Sequence, residues 1–500
     1  MNAERPSEPG GEATASPERP ARAVDALAGK RVTVMGLGLF GGGVGAARWL
    51  ARQGAHVTAT DLRDATTLAP ALAALADSGV EVHLGEHTAR DFEGADLVVA
   101  NPAVPPSNPW LRRAREAGAR ITSEVALFLE RCPAPIVAVT GTQGKSSTAT
   151  WLAAFLAPIA RRVHLGGNIG GSLVELLDSI EPRDRVVLEL SSYQLEALPP
   201  RGSLPRAAGV VIVTNLLADH LERHGDLAEY ARAKARILEL VAPGGAALLP
   251  REVAGRPPFH RAEADGVDVL VHDGAERAGG ADALPRAHAR LADGRFLLFE
   301  DVLGRVADLA VPGLFQRANV LAALAAARRM GVSAGDLAAR VGGLVGLPHR
   351  VEELGVRGGV RVIDNGVSTT PDSTLAALEG LPPATAGPLT VLLGGAAKRD
   401  LALDGLAEAL AARGALAVVF GAAAEALADA CAAAGARYER ADDLLAATQR
   451  GLAGTPHGGT LLFSPACASF DAWPNFEARA QAFRAALPPP DGDTGRGSTG

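Results

Sequence analysis

The sequence has 500 residues, of which 48% are apolar, and its formal net charge is −7. Because a single hydrophobic core rarely grows past about 250–300 residues, this length predicts two to four domains. A mildly acidic chain with both signs of charge excludes a nucleic-acid-binding surface as its main function. Three widely separated cysteines exclude a disulfide framework and a zinc site, and they indicate a reducing compartment.

The apolar runs predict whether the chain spans a membrane, and the composition of its two ends predicts whether they are ordered. No apolar run approaches the roughly 20 residues that span a bilayer, so we predict no membrane span. Residues 1–28 are rich in Pro, Glu, Gly, Ser and Ala and lack the apolar core of a signal peptide, which predicts a disordered tail. Residues 488–500 have a similar composition and predict a second disordered tail.

Residues 29–129 have the pattern of a small Rossmann-like α/β domain. A predicted strand, Lys30–Met35, leads into the G-x-G-x-x-G loop Gly36–Gly41, and a helix is predicted over Val44–Gln53. The next strand ends at Asp61, about twenty residues beyond the glycines. This is the dinucleotide-binding fingerprint, and taken alone it favours an NAD-dependent dehydrogenase. Two further strands are predicted, at Val80–Leu84 and Asp96–Ala100.

The stretch around which the chain is organised begins at the apolar, β-branched run Ile136–Thr140. The glycine-flanked loop Gly141–Ser146 follows it, and a helix-forming segment comes next. This order brings backbone N–H groups and a helix N-terminus to a phosphate, with Lys145 as a mobile charge and the Ser146 hydroxyl as a magnesium ligand. Val139 stands where the usual phosphate-binding spacing has its first glycine, so the loop is a shortened variant. The alternative is an ordinary β–α turn whose glycines only relieve strain.

A central P-loop ATPase-type domain is predicted over residues 130–346. Its later strands are expected at Arg161–Leu165, Arg185–Leu190 and Ala208–Val213, and each ends in a polar or glycine-rich turn. Since ligands bind at the carboxyl ends of strands in open α/β sheets, these turns should face the Gly141–Ser146 loop. Residues 251–300 have weak periodicity and are predicted only as a variable lobe, whereas Leu321–Arg329 is predicted to be helical.

The segment Gly346–Arg350 has the pattern of a hinge, because its proline stops a helix and a new α/β pattern follows. We therefore predict a Rossmann-like C-terminal domain over residues 347–487. Its strands are expected at Val360–Asp364, Leu389–Gly394, Ala417–Phe420 and Thr460–Phe463, and its last helix at Phe476–Ala486.

Single residues in these turns are ambiguous. Glu189 ends a buried strand, where an unpaired carboxylate is costly, so it is either a magnesium ligand or a salt-bridged or partly exposed strand end. His220 and Lys234 taken singly are a loop histidine and a solvated helix lysine. Lys398 follows a strand and a glycine turn, as an anion-binding lysine does, and a solvated loop charge is the alternative. Cys467 has no histidine or amide grouping to support a nucleophile and is predicted to be a small buried hydrophobe.

Taken together, the motifs resemble those of the Mur ligases, and within that family the members that add D-glutamate. The resemblance covers about residues 30–487. The motifs that carry it, in family order, are Gly141–Ser146, Gly166–Gly170, Glu189–Glu196, Asp219–His220 with Lys234, Gly346–Arg350, Gly394–Gly395 with Lys398, and Ser464–Ser469 with Asn475–Phe476.

The resemblance implies a cytoplasmic, monomeric, ATP-dependent ligase of peptidoglycan precursor synthesis with three domains. Its substrates would be UDP-MurNAc-L-alanine, D-glutamate and ATP, and its cofactor Mg²⁺, with two ions expected. ATP would phosphorylate the substrate carboxylate, and the D-glutamate amine would attack the acyl phosphate. Lys234 would be carbamylated, which turns a cation into an anion that can face a metal.

The resemblance also assigns residues to subsites. The catalytic residues would be Lys145, His220 and Lys234, and the metal ligands Ser146, Glu189, His220 and Lys234. ATP would contact Gly141, Thr142, Gln143, Gly144, Lys145, Ser146, Ser147, Asn319, Arg350 and Asn365. The UDP substrate would contact Gly38, Leu39, Phe40, Asp61, Arg63, Asn168, Ser191 and Gln194, and D-glutamate would contact Thr369, Lys398, Ser469 and Phe476.

Several positions depart from the family pattern. Phe40 stands where a Thr or Ser is frequent, and Gln316 replaces an asparagine of a His-Asn-x-x-Asn pattern. Asp364–Thr369 replaces Asn-Asp-Ser-Lys/Ile-Ala-Thr, so the ribose-binding acid is either exchanged with its neighbour or lost, and Val367 supplies no lysine. These changes leave open a sister ligase with another amino acid or acceptor. From different functional classes, an NAD-dependent dehydrogenase and a non-catalytic nucleotide-binding module also stay open.

Overall fold

The computed structural model describes residues 26–38, 41–205, 207–263, 266–274, 287–311, 314–381, 387–396 and 402–491. Within these residues, three β-sheets are flanked by helices. The chain divides into two compact units, Met1–Val306 with Ala318–Val341, and Ala307–Arg317 with Gly342–Gly500. The first unit contains two of the sheets and the second unit contains the third. The predicted α/β class with three sheet-containing domains is confirmed.

The first sheet is entirely parallel, in the order β3-β2-β1-β4-β5. Its strands are β1 Arg31–Met35, β2 His56–Asp61, β3 Glu81–Leu84, β4 Leu97–Ala100 and β5 Arg120–Thr122. Its helices are α1 Gly42–Arg52, α2 Ala69–Leu75, α3 Ala89–Glu93, α4 Pro109–Glu116 and α5 Glu124–Arg131. The central strands β1 and β4 are buried on both faces, which explains their continuous apolar runs.

The second sheet has nine strands in the order β14-β13-β12-β11-β10-β9-β6-β8-β7. They are β6 Ile136–Thr140, β7 Val163–Gly167, β8 Arg185–Glu189, β9 Ala208–Val213, β10 Val241–Pro250, β11 Asp268–Asp273, β12 Ala289–Ala292, β13 Arg295–Leu298 and β14 Asp301–Arg305. The helices are α6 Lys145–Leu156, α7 Ser192–Glu196, α8 Leu221–His224, α9 Leu227–Ala235, α10 Arg251–Ala254, α11 Leu314–Arg329 and α12 Ala334–Val341. Strands β6, β8 and β9 are adjacent, so the turns that follow them meet at one edge.

Residues 241–305 add five strands that the sequence pattern did not predict. Strand β10 contains Gly244 and Gly245 and a register shift relative to β9, so its sequence resembles that of a turn. Strands β12, β13 and β14 form an antiparallel extension, and the side chains of β12 and β13 alternate between buried and more accessible positions. A half-exposed edge of this kind lacks the continuous apolar run of a buried parallel strand.

The third sheet has the order β15-β16-β20-β17-β18-β19, and only β15 is antiparallel to its neighbour within the described residues. Its strands are β15 Glu352–Arg357, β16 Val360–Asp364, β17 Leu389–Gly394, β18 Leu416–Phe420, β19 Arg437–Arg440 and β20 Thr460–Ala466. Its helices are α13 Pro371–Gly380, α14 Asp404–Ala412, α15 Ala424–Ala434, α16 Leu444–Gly454 and α17 Phe476–Ala485. The last strand in the chain therefore lies in the middle of the sheet, between β16 and β17.

Some predicted boundaries differ from the structure. Strand β7 begins two residues later than predicted and includes Gly166 and Gly167, which pair with β8. Helix α11 begins seven residues before Leu321. Residues 488–491, assigned to a tail from the sequence, include Asp491, whose carboxylate accepts the backbone N–H groups of Gly358 and Gly359 at 2.7 Å each.

Across the described residues, no helix combines the length and apolarity needed to cross a membrane.

Candidate active site

The Gly141–Ser146 loop joins β6 to α6, as the sequence predicts. Gly144 precedes the helix with a φ of 77°, and a Cβ there would lie 2.3 Å from the Asn319 Oδ1 atom. Only glycine fits this position, because it tolerates a left-handed backbone and lets Asn319 approach. Helix α6 begins without a side-chain cap, with Ser146 and Ser147 buried in its first turn. This is the geometry in which a helix N-terminus receives a phosphate.

The side chain of Asn215, in the turn after β9, holds the Gly141–Ser146 loop in place. The Asn215 Oδ1 atom accepts the backbone N–H groups of Thr142 at 3.2 Å and Gln143 at 2.9 Å, and its Nδ2 donates to the Gln143 carbonyl at 3.2 Å. Thr214 adds a hydrogen bond from its hydroxyl to the same carbonyl at 2.5 Å. The turn after β9 therefore supports the loop, as expected for adjacent carboxyl ends.

Two lysines converge on the carbonyl of Gly141. The Lys145 Nζ atom donates to Gly141 O at 3.1 Å and to Thr142 O at 2.8 Å. The Lys234 Nζ atom, from α9, donates to Gly141 O at 2.7 Å. The structure therefore brings Lys234, which resembles a surface residue in the sequence, next to the Gly141–Ser146 loop.

Lys234 is almost completely buried, with 1% of its surface exposed. Burial lowers its pKa well below the ordinary value, and the charge of Lys145 lowers it further, whereas Asp219 and Glu189 oppose the shift. The Nζ atom lies 4.5 Å from the centre of the Tyr230 ring, which covers it. A buried amine with a lowered pKa is held closer to its neutral, nucleophilic form.

Glu189 ends strand β8 with only 1% of its surface exposed. Its Oε1 atom accepts the Asn168 Nδ2–H group at 2.9 Å, whereas its buried Oε2 atom has no hydrogen-bond partner among the described residues. A buried carboxylate oxygen without a donor is costly, and a cation removes the cost. Within the described parts of the chain no salt bridge reaches Glu189, and a free carboxylate oxygen fits a magnesium ion.

His220 lies at the start of α8 with a φ of 54°. Its Nδ1 atom is 3.4 Å from the Tyr193 hydroxyl, and its Nε2 atom is 3.5 Å from the Asp219 carboxylate. The Tyr230 ring lies beside both predicted metal ligands of this segment, 6.5 Å from the His220 ring and over Lys234. His220 thus belongs to the same cluster as Lys234.

Ser191 and Gln194 are engaged with each other. The Ser191 hydroxyl accepts the Gln194 backbone N–H at 3.2 Å, and the Gln194 Oε1 atom accepts the Ser191 N–H at 2.9 Å. This capping box begins α7. The structure therefore gives both residues a local role, and their predicted contact with substrate stays a prediction.

The glycine loop of the first sheet is tied to Asp61. The Leu37 N–H group donates to Asp61 Oδ2 at 2.9 Å, and the Arg63 guanidinium donates to both carboxylate oxygens at 2.9 and 2.6 Å. Burial raises the pKa of Asp61, and the hydrogen bonds from Arg63 outweigh it, so the pKa is lowered. An acid already held by Arg63 is a poor ligand for the ribose of a dinucleotide, which disfavours the dehydrogenase alternative. Gly38 lies in this loop, and the predicted contacts Leu39 and Phe40 lie outside the described residues.

The residues predicted to bind D-glutamate lie around the third sheet. Thr369 follows β16, Ser469 follows β20 and is buried, and Phe476 begins α17. Lys398, which follows β17 in the chain, lies outside the described residues.

Comparisons with known proteins match three successive parts of the chain to three family models. These are the Mur ligase MurD-like N-terminal domain over residues 30–123, the Mur ligase middle domain over residues 139–327, and the Mur ligase glutamate ligase domain over residues 349–467. The chain belongs to the Mur ligase family. The resemblance inferred from the motifs is confirmed, and with it the class of an ATP-dependent ligase of peptidoglycan precursor synthesis.

Individual relatives cover nearly the whole chain. It is 37% identical over 474 residues to the UDP-N-acetylmuramoylalanine–D-glutamate ligase of Roseiflexus sp. (strain RS-1), covering 92% of this chain and 98% of that protein. It is 35% identical to the enzyme of the same name from Geobacter metallireducens, with the same coverage. The MurF ligase of Thermotoga maritima in complex with ADP superposes with a TM-score of 0.54 at 17% identity, covering 86% of this chain and 94% of that one. The last similarity shows a shared fold.

Two side chains of this Mur ligase that the resemblance placed near the ATP ribose are buried. Asp364 Oδ2 lies 2.7 Å from His349 Nδ1 and accepts the Arg484 Nε–H group at 2.7 Å. Asn365 donates from Nδ2 to the Ser464 hydroxyl at 2.9 Å. Asp364 is fully buried and Asn365 is 5% exposed, so both bonds are internal. Arg350 lies in the same segment, and its contact with ATP stays a prediction.

His349, Glu352 and Asp364 form the one grouping of three potential metal ligands found in the described parts of the chain. The Arg484 guanidinium donates to Asp364 Oδ2 and to Glu352 Oε2, the oxygen that also accepts the His349 backbone N–H at 2.8 Å. An arginine therefore already contacts both carboxylates and offsets part of their charge. The cluster is an ion-pair network of this Mur ligase rather than a metal centre.

Sequence reasoning missed three residues that support the site. Asn215 lies in a turn that was predicted to face the loop, yet its function depends on the adjacency of β9 and β6. Tyr230 precedes Lys234 by one helical turn, a spacing that indicates a shared face. Glu124 begins α5, and its position against the glycine loop of the first sheet is visible only in three dimensions.

Glu124 is the first residue of α5, and its partly exposed carboxyl lies against the start of α1. It accepts the Ser172 hydroxyl, and its Oε2 atom lies against the backbone of Gly42. Burial raises its pKa to about 7, although the Ser172 hydroxyl and the N–H groups of Leu173 and Val174 lower it in part. Its carboxylate form is therefore the unfavourable one in the folded protein.

We expect Glu124→Gln to stabilise the protein at pH 8 but not at pH 5. A pKa raised on folding means that stability is present below the unfolded value of 4.5 and is lost as pH rises towards 7. The gain in the free energy of unfolding at pH 8 should stay below about 3 kcal/mol, because water reaches part of the carboxyl and weakens the effect. Urea unfolding midpoints at the two pH values measure it, with the exposed Glu116→Gln as control. A gain of equal size at pH 5 would contradict the assignment.

Proposed function

We propose that this Mur ligase joins D-glutamate to UDP-N-acetylmuramoyl-L-alanine with hydrolysis of ATP to ADP and phosphate. The observation that carries the proposal is its similarity, at 37% identity over 98% of the relative's length, to an enzyme of that name. The glutamate ligase domain matched over residues 349–467 supports the amino-acid half of the reaction.

The reaction proceeds in two steps. A carboxylate is a poor electrophile, so the substrate carboxylate oxygen first attacks the γ-phosphorus of ATP, and ADP leaves with the bridging oxygen. The neutral amine of D-glutamate then attacks the carbonyl carbon of the acyl phosphate. The tetrahedral intermediate collapses as its C–O bond to phosphate breaks and a proton leaves the nitrogen. Both steps spread negative charge over phosphate oxygens, which positioned cations and N–H groups stabilise.

Different residues of the first unit are proposed to bind ATP and the UDP substrate. We place the outer phosphates of ATP at the start of α6, with Lys145 and Ser146. In the described structure Lys145 rests on loop carbonyls, from which its charge can move to a phosphate. Asn168 and the loop around Gly38 are proposed to hold the UDP-substrate.

Mur ligases use ATP and Mg²⁺. We propose two magnesium ions, held by Ser146, Glu189, His220 and Lys234, where they neutralise charge on the phosphates. The unpartnered Glu189 Oε2 atom supports one such position. The lowered pKa of Lys234 supports carbamylation, because a neutral amine forms an N–C bond to carbon dioxide and loses a proton to solvent, which leaves an anionic carbamate. We further propose a cytoplasmic monomer, since its nucleotide substrates are made in the cytoplasm.

The test is phosphate release from ATP and Mg²⁺ with UDP-N-acetylmuramoyl-L-alanine, with and without D-glutamate. We expect release to require D-glutamate, and neither L-glutamate nor L-lysine to replace it. Activity with another amino acid or acceptor would instead identify a sister ligase with changed specificity. NADH binding with no phosphate release would restore the dehydrogenase alternative.

A further inference from the structure

Arg479, on helix α17, is a fully buried arginine with an unusual set of partners. No hydrogen bond or ion pair joins it to a carboxylate in the part of the chain that the structure describes. Instead, its two terminal nitrogens donate to backbone carbonyls. The acceptors are Gly394 O at 3.2 Å, Cys467 O at 2.8 Å, Ala468 O at 3.1 Å, Gly366 O at 3.3 Å and Ser368 O at 3.3 Å.

Four of these carbonyls lie in the loops after β16 and β20, and the fifth, Gly394 O, ends β17 where the third loop begins. The loops follow β16, β17 and β20, which are neighbours in the third sheet. Their strands are parallel, so the loops lie at one edge, and Arg479 is the side chain that joins them. Burial lowers the pKa of Arg479 to about 10, which still leaves the guanidinium charged at neutral pH.

The loop after β17 packs directly on this guanidinium. Gly395 has a φ of 134°, and a Cβ there would lie 2.2 Å from Ala468 O and 2.7 Å from Arg479 Nη1. Any side chain would separate the loops, so this position requires glycine. The Ala396 N–H group adds a direct bond to Ala468 O at 2.8 Å.

The residues proposed to bind D-glutamate are attached to these anchored carbonyls. Thr369 follows Ser368, and Ser469 follows Ala468. Phe476 lies one helical turn before Arg479 on α17. Lys398 is the third residue after Gly395, although it lies outside the described residues.

We propose that Arg479 is the positioning residue of the amino-acid site, fixing the loops that carry Thr369 and Ser469. All of its hydrogen bonds within the described residues go to backbone carbonyls, so it would act through these loops. The inference rests on the proposed function, because it takes D-glutamate as the ligand of these loops.

The test compares Arg479→Met and Arg479→Lys with the wild type. Methionine removes the charge and all five hydrogen bonds, whereas lysine keeps the charge but donates from a single point. We expect Arg479→Met to raise the KM for D-glutamate by about 10- to 100-fold while the KM values for ATP and the UDP substrate change by less than about 2-fold. The KM of Arg479→Lys for D-glutamate should lie between the values for Arg479→Met and the wild type.

Two further variants separate positioning from general stability. Phe483→Leu, on the same buried helix face, should lower the melting temperature without changing the KM for D-glutamate. Gly395→Ala keeps the arginine but displaces the loops, and it should raise that KM even if Arg479→Met does not fold. Equal changes in all three KM values, or an unchanged KM for D-glutamate in folded variants, would overturn the inference. Wild-type enzyme with no D-glutamate-dependent release would instead reject the proposed function.

Discussion

Replacing Lys234 by methionine is expected to reduce kcat by about 100-fold or more, with little loss of stability. The amine is buried against Gly141 and beside Lys145, where a permanent positive charge is unfavourable. As a carbamate it would carry the opposite sign and stabilise phosphate-bound metal, and removal of one preorganised electrostatic group costs about 10²–10³ in rate. Lys234→Arg should be at least as inactive, because arginine stays charged and forms no carbamate.

The carbamate itself can be observed. Wild-type activity should fall when carbon dioxide is removed and return when bicarbonate is added, and ¹³C-bicarbonate should give a carbamate signal in the NMR spectrum. The Lys234→Met variant should show neither response. The exposed Lys30→Met variant is the matched control and should behave like the wild type. Full activity of Lys234→Met would favour a non-catalytic role for the whole segment.

Replacing Glu189 by glutamine should also cost about 100-fold in kcat, and it should raise the magnesium concentration needed for half-maximal activity. Glutamine has the same shape and can still accept the Asn168 Nδ2–H group, but it has no charge with which to hold a cation. In the absence of magnesium the variant should be no less stable than the wild type, because the Oε2 atom has no hydrogen bond to lose.

The measurement is a magnesium titration of phosphate release together with melting temperatures, with and without MgADP. The exposed Glu93→Gln variant, which loses only a surface pair with Arg113, is the control and should keep the wild-type magnesium dependence. If Glu189→Gln also keeps that dependence, Glu189 is not a metal ligand.

The fold was predictable wherever strands are buried on both faces. The runs that became β6, β9 and β17 are continuous and apolar, and their predicted bounds match the structure closely. The strands between residues 241 and 305 were missed, because two glycines interrupt β10 and each of the strands β11 to β14 has at most three consecutive apolar residues. Strand β19 was missed for the same reason, since all four of its residues are exposed.

The positions of the candidate site residues were predictable where these residues directly follow a strand. Gly141–Ser146 and Glu189 were identified from their position after apolar runs, and the structure places them as expected relative to the sheet. The local roles of Ser191, Gln194, Asp364 and Asn365 could not be anticipated. Their partners are set by capping and by contacts between residues far apart in the chain, for example the 2.9 Å bond from Asn365 to Ser464.

The sequence by itself determined the α/β class, the order of the motifs and the position of the Gly141–Ser146 loop between β6 and α6, because these depend on residues that are near neighbours in the chain. Tertiary structure alone decided that Lys234 is a buried amine with a lowered pKa, that one oxygen of Glu189 is unpartnered, and that Arg479 joins three loops. Burial and electrostatic environment depend on which strands lie side by side. A lysine or arginine in a helix has the same local pattern whether it faces water or five carbonyl oxygens.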